Sequence, residues 1–481
     1  MPHTTRGHGG NRNGRGRGRG DGGAGRRPGG PRRTGRPQDL VRRTAFDVIR
    51  AVETRDAYAN LLLPARLRDR DLTGRDAALA TELTYGTLRG RGTYDAVLAL
   101  CSDRELRRID APLLDVLRLG AHQILATRIP PHAAVGTTVE LARSVAGPGQ
   151  AKFANAVLRK VAGRDLAGWL AIVAPPDAEP VARLSVAHSH PKWIVSALRD
   201  AVGAAEIEDL LAADNARPRV TLVARPGRAE VAELVEAGAE PAPFSPYGAV
   251  LPDGDPSAVA AVREGRAAVQ DEASQLVALA LAEVPVEGRD ARWADVCAGP
   301  GGKAGLLSAV ATRRDARLVA ADVQPHRAGL VRGAVDGRAG VLAADGTAPP
   351  WRPGAFDRVM VDAPCTGLGA LRRRPEARWR RGPEAVAELG PLQRRLLAAA
   401  LDATRPGGAV AYVTCSPHLA ETRVVVDDVV REHGGAERLD APAVLAGIAP
   451  GLAGLGDGPY AQFWPHRHGT DAMFLALLRR V

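Results

Sequence analysis

Arg292-Trp-Ala-Asp-Val-Cys-Ala-Gly-Pro-Gly-Gly-Lys303 is the stretch that decides the fold. A short apolar run reads as a strand, and Gly299, Gly301 and Gly302 carry the chain through a loop into an apolar helical pattern. Glycines there let the backbone approach a ligand and open the next helix toward an anionic group. The spacing is neither GxGxxG nor a P-loop. Outward from the loop, the strand patterns RLVAADV, GVLAAD, FDRVMVDAP and GAVAYVTC alternate with helical ones, among them a helix with Leu389, Leu392, Leu396 and Ala400 in register. This alternation predicts a parallel sheet covered on both faces, a doubly wound α/β domain over residues 285–481.

In such a sheet, ligands bind beyond the carboxyl ends of the strands. Asp322 closes RLVAAD 23 residues after Gly299, near the spacing at which an acid accepts hydrogen bonds from a ribose diol. Asp345 closes the next strand, where it could address an adenine edge. The loop and the two acids suggest a nucleoside-bearing cofactor. Lys303 is one of four lysines in the chain, so a lysine at this loop suggests a local requirement.

Two further strand ends, Asp362-Ala-Pro-Cys365 and Thr414-Cys415-Ser416-Pro417, each bring a thiol to the same rim. A lone cysteine usually reads as a small inert hydrophobe. Two on one rim, one of them close to an aspartate, suit covalent activation of a pyrimidine: a thiolate is a strong nucleophile and a carboxylate can hold and protonate a ring nitrogen. The four cysteines, Cys101, Cys297, Cys365 and Cys415, are spaced by 196, 68 and 50 residues, which fits neither a disulfide framework nor a CxxC metal site. No metal is expected.

Upstream, residues 38–165 have helical periodicity. Leu113, Val116, Leu117, Ala121 and Ile124 form one stripe, Val135, Val139, Ala142 and Ala146 a second, and Phe153, Ala156, Val157 and Val161 a third. Residues 166–284 read as a linker and a small α+β module, with a strand in RVTLVARP, a helix in AEVAELVEAG and a short apolar run at Ala249-Val250-Leu251. Residues 1–37 hold ten Arg, thirteen Gly and one Asp, and predict a disordered cationic arm that supplies most of the net charge of +11. A balanced body with a cationic arm points to a polyanion, first of all nucleic acid. No apolar run is long enough for a membrane span and none follows the N-terminal arginines as in a signal peptide, so the expectation is a cytoplasmic protein.

These motifs, DVCAGPGGK, DAPCTGLG and VTCSP with Asp322, Asp345 and Asp362 between them, resemble the Sun/Fmu-type S-adenosylmethionine-dependent RNA cytosine-C5 methyltransferases. GRAAVQDEASQ and SHPKW are similar to that family's lead-in, and TELTYGTLRG, LRLGAHQIL and AKFANAVLRK to the NusB-like domain of its bacterial 16S rRNA branch. The resemblance implies S-adenosylmethionine as cofactor. Cys297, Ala298, Gly299, Pro300, Gly301, Gly302 and Lys303 would enclose its methionine part, Asp322 would hold the ribose and Asp345 would lie near adenine.

By the same resemblance Cys415 is the nucleophile on C6, Asp362 stabilises protonated N3, and Cys365 assists proton removal from C5 and release. DNA cytosine methyltransferases use the Cys of a Pro-Cys motif, so spacing alone leaves the attacking thiol open. The implied substrate is 16S rRNA and the chain is expected to act as a monomer, away from membranes. Six arginines between Arg372 and Arg381, with Trp379 among them, are expected to grip phosphates and stack on a base. Ala472 and Met473 depart from the family's usual Gly and Phe. Competing readings are an idle NusB-like RNA-binding or ribosome-assembly factor, and the same chemistry on tRNA or DNA.

Overall fold

The computed structural model describes residues 39–55, 57–252 and 254–481; the arm expected over 1–37 lies outside the described residues. Seven α-helices among the described residues run from Leu40 to Val161. Their apolar stripes meet in one core that holds Leu83, Leu98, Leu113, Leu117, Val157 and Leu158. Each such side chain contributes about 1.5–3 kcal/mol on burial. In the third stripe Ala156 is solvent-exposed, and Ala154 and Leu158 take its place in the core.

The small module forms a four-stranded antiparallel sheet: β1 (Val220–Ala224), β2 (Glu240–Pro241), β3 (Gly248–Leu251) and β4 (Ala267–Val269), in the order β2-β3-β1-β4. The large sheet contains β5 (Arg292–Asp295), β6 (Arg317–Asp322), β7 (Ala339–Ala343), β8 (Phe356–Asp362), β9 (Thr404–Thr414), β10 (Ala436–Leu439), β11 (Ala461–Gln462) and β12 (Phe474–Arg480). Its order is β10-β12-β9-β8-β5-β6-β7, with β11 paired to β12. Side chains alternate between the two faces. Trp293, Met360, Ala411, Val413 and Leu475 pack under the helices Glu272–Glu283 and Gly302–Arg313, whereas Ala294, Val359, Val361, Tyr412 and Phe474 pack under the helices Glu384–Ala403 and Arg423–His433.

The sheet departs from the all-parallel expectation at one edge. Strands β5 to β9 pair in parallel, but β12 runs antiparallel to β9 and β10 antiparallel to β12. The reason is where the chain re-enters. Before β12 it lies along the carboxyl-end rim, where Ala472 N–H donates to the Gly369 carbonyl at 2.8 Å, and Phe474 pairs with Thr414. From there β12 can only run down the sheet.

Strand order reverses between β5 and β8, which leaves a crevice beyond their carboxyl ends, the usual ligand position in such sheets. Asp295 and Asp362 end those two strands.

Candidate active site

A cleft of about 410 Å³ opens at this crevice. Cys297, Gly299, Asp322 and Asp345 line one end; Asp362, Cys365 and Cys415 line the other. The loop after β5 is held by the end of β6: Asp322 accepts from Gly299 N–H at 3.0 Å and from Gln324 N–H at 2.9 Å. A Cβ on Gly299 would stand 2.3 Å from the Asp322 carboxylate, and Gly301 has φ +114° with the Ala334 methyl beside it, so the loop needs glycine at both positions. Arg327 donates to the Gly299 carbonyl and lies 3.6 Å from Asp322. Asp345 is exposed on the rim and accepts from the Thr347 N–H and hydroxyl, both at 2.8 Å. Ala298 is buried in the sheet core, and Pro300 and Gly302 lead into the helix Gly302–Arg313.

The Sγ atoms of Cys365 and Cys415 are 3.4 Å apart. Arriving from β8 and β9, the two thiols come together although fifty residues separate them in sequence. Lys303 stands behind this end of the cleft, with its Nζ donating to Asp362 at 2.8 Å. Burial opposes the Lys303 charge, but the pairing with Asp362 outweighs it and raises the ammonium above its ordinary range. The S–H of Cys365 donating to Cys415 lowers the Cys415 thiol, and the charges of Lys303 and Arg374 add to this against burial and Asp362. The same contact, with burial and the nearby Glu421 charge, pushes Cys365 up. Cys297 is raised well above a normal thiol, chiefly by burial. Of the three cysteines around the cleft, Cys415 is therefore the most readily ionised.

Several residues of the site were not singled out from the sequence. Glu421 is fully buried and bridges the two thiol loops: it accepts from Thr366 N–H at 2.8 Å, from the Thr366 hydroxyl, and from the Ser416 hydroxyl at 2.6 Å. The signal was a hydroxyl residue directly after each cysteine. Asp295 ends its strand just as Asp322 does; burial, reinforced by the Asp362 charge, pushes it up to about 7. Tyr58 had no local signal. It comes from the link between the first two helices of the N-terminal domain, lines the catalytic cleft and sits 5.2 Å and 5.1 Å from the guanidinium carbons of Arg374 and Arg380.

Most of the arginine run after Cys365 is tied up inside the protein instead of forming the phosphate-gripping surface expected of it, although Arg374, Arg380 and Arg381 line the cleft. Arg372 and Arg373 pair with Asp271 and Asp471 at 2.7–3.0 Å. Arg378 is fully buried and donates to the carbonyls of Arg89, Ser189 and Asp214 and to the Asn215 side chain. Arg380 donates to the carbonyls of Val52 and Ala57, and Arg381 to that of Cys365. Trp379 packs against Gly92 and under Arg91. Arg372, Arg373, Arg378 and Arg380 fasten the catalytic domain to its neighbours because carboxylates and otherwise unpaired carbonyls face them there. The unusual Ala472 contributes its main chain to the Gly369 contact, and Met473 lies in the sheet core.

A glycine loop and acids on successive strand ends of a seven-position sheet, joined to a helical domain that helps wall the cleft, define a Rossmann-like methyltransferase domain behind a NusB-like one. Residues 281–479 match the family model described as 16S rRNA methyltransferase RsmB/F, and residues 40–163 match the NusB family. The chain belongs to the RsmB/F methyltransferase family.

A Mycobacterium tuberculosis (strain H37Rv) protein carrying a methyltransferase name is 54% identical over 458 residues, 94% of this chain and 98% of its own. Ribosomal RNA small subunit methyltransferase B of Pseudomonas putida is 32% identical over 92% of this chain and 98% of its own. Among solved structures, the crystal structure of PH0851 aligns with a TM-score of 0.75 at 22% identity, covering 93% of this chain and all of that one, which shows a shared fold.

Proposed function

We propose that this chain methylates C5 of a cytosine in 16S rRNA, using S-adenosylmethionine and a transient bond between Cys415 and C6 of the base. The observation that carries this reading is the 3.4 Å pair of thiols in a cleft whose other end has the glycine loop and the strand-end acids. The relatives named as small-subunit rRNA methyltransferase B support the substrate. S-adenosylmethionine, when bound, supplies an electrophilic methyl group on a sulfonium centre. The cleft suits such a cation: Asp322, Asp345 and Asp362 line it, and Asp295, buried at the end of β5, keeps a carboxylate oxygen without a hydrogen-bond partner.

The chain's own residues supply the rest. C5 of cytosine is too weak a nucleophile to accept a methyl group unaided. Cys415, lowered toward the thiolate, adds to C6, while Asp362, oriented by Lys303, holds the proton that arrives at N3. The resulting enamine-like carbon at C5 takes the methyl group. Cys365 lies beside the adduct; it gives its own S–H proton to solvent and takes the C5 proton in its place, and as the C5–H electrons form the C5–C6 double bond the C6–S bond breaks, its electron pair returns to Cys415, and N3 gives up its proton. The target base has to leave its stack for a thiol to reach C6.

The test uses the full chain with methyl-labelled S-adenosylmethionine and a 16S rRNA transcript, then nucleoside analysis. Label in 5-methylcytidine is expected. Label in another nucleoside, or only in tRNA or DNA supplied in parallel, would overturn the assignment, and tight RNA binding with no transfer would favour an idle RNA-binding factor.

A further inference from the structure

A second cleft, of about 400 Å³, lies where the helical domain, the small module and the catalytic domain meet. Arg372 and Arg373 form part of its wall, but their charges are taken by Asp271 and Asp471. Two other cations stand there without such partners. Neither Arg89 nor Arg217 makes a side-chain hydrogen bond or an ion pair among the described residues, and the Arg89 Nε is buried without a partner. Burial depresses the Arg89 guanidinium. The carboxylate in the wall, Glu82, is half-exposed and turned to His122 at 3.4 Å, so it reaches Arg89 only through its field; a half-buried cation with no hydrogen-bonded counter-charge is costly, and an anion placed against it would relieve that cost. The Asn60 Oδ1 in the same cleft is also buried without a partner, an acceptor waiting for an N–H. Apart from Thr81 and Glu82, the remaining wall is apolar and includes the Tyr85 ring and Val269, which is 52% exposed.

An aromatic ring, an unused acceptor and two guanidiniums without hydrogen-bonded partners together fit one nucleotide: a base on Tyr85, its amino or imino N–H on Asn60, and its phosphate at Arg89 and Arg217. The position is telling. Tyr58 lines the catalytic cleft and Asn60 the second one; Arg374 lines the first, while Arg372 and Arg373 line the second. The two clefts share this wall.

We propose that the second cleft holds another unstacked nucleotide of the RNA, near the target cytosine, so that the helical domain reads sequence beside the catalytic site. This rests on the RNA-methylation reading above. It makes the helical domain part of substrate selection and not only a tether.

The test measures KM for a 16S rRNA transcript and for S-adenosylmethionine in the full chain carrying Arg217→Glu or Val269→Trp, both at exposed positions, with Arg89→Gln as a third variant checked by thermal melting. The transcript KM should rise at least about fivefold, the scale of losing one base stack, while the cofactor KM stays put. Independently, a benzophenone amino acid at position 269 should cross-link to one nucleotide of the transcript. An unchanged transcript KM in both exposed variants, or cross-links scattered over the RNA or made to protein instead, would overturn the proposal. If the parent chain transfers no methyl group to cytosine, the function assigned above fails, and the cross-link still decides whether this cleft takes RNA.

Discussion

The thiol rim and the arginine run that follows it are neighbours in sequence, yet their functions were unequally readable. At the rim, topology does the placing: strands β8 and β9 are adjacent and parallel, so residues just past their ends must meet. Asp362-Ala-Pro-Cys365 and Thr414-Cys415 therefore converge whatever surrounds them. The run from Arg372 to Arg381 has no such rule. A cluster of guanidiniums serves RNA if it faces water and serves the fold if it faces carbonyls, and only tertiary structure says which.

The largest expected effect lies at the rim. Cys415→Ala should remove methyl transfer to the transcript altogether, whereas Cys365→Ala should leave a chain that stays covalently attached to RNA in a denaturing gel. An adduct from Cys415→Ala and none from Cys365→Ala would exchange the two roles. Next comes the opposite side of the comparison. Arg378→Met removes a buried donor from three carbonyls and an amide, each unsatisfied group costing about 1–3 kcal/mol, so chemical denaturation should show a loss of about 3 kcal/mol or more. The slope of RNA affinity against salt should not change. Normal stability with a log–log slope shallower by about one would instead return Arg378 to phosphate binding.

Glu421 sharpens the comparison within the rim itself. Its carboxylate is the clip between the Thr366 and Ser416 loops, so it holds the two sulfurs in register without facing the cleft. Glu421→Gln keeps one acceptor and should lower kcat about tenfold, a loss of near 1.4 kcal/mol, with KM for the transcript little changed. Glu421→Ala should lose more, and an equal drop in both variants would mean that the clip's geometry is irrelevant.

Strand ends, the glycine loop and the helical stripes were legible because each is a local pattern repeated at a fixed period. What escaped was non-local. Glu421 is recognisable only once Thr366 and Ser416 are seen together, and Tyr58 only once its helix link lies against Arg374 and Arg380. The antiparallel β12 escaped for the same reason, since its direction depends on where residues before it cross the rim. The residues that join domains carry no period to betray them.

The smallest expected effect concerns the same interdomain seam and its dependence on pH. Asp214 is buried beside Arg378, neither of its carboxylate oxygens has a hydrogen-bond partner, and burial pushes it up to about 7. His190, 3.7 Å away and fully buried, is held well below its ordinary value by that burial and stays neutral. Between about pH 4 and 7 the folded chain keeps a proton on Asp214 that the unfolded chain releases, so this carboxyl's contribution is full below pH 4 and falls as pH rises through 7. Asp295, also raised to about 7, adds a loss of the same sign in the same window. One such proton tilts the unfolding free energy by at most about 1.4 kcal/mol per pH unit. Asp214→Asn should therefore flatten, without abolishing, the decline in unfolding free energy between about pH 4 and pH 7, and the variant should be the more stable chain at the alkaline end. Curves that run parallel across that range would mean that Asp214 is ionised throughout and paired with Arg378, which would make the seam an ion pair like the ones Arg372 and Arg373 form with Asp471.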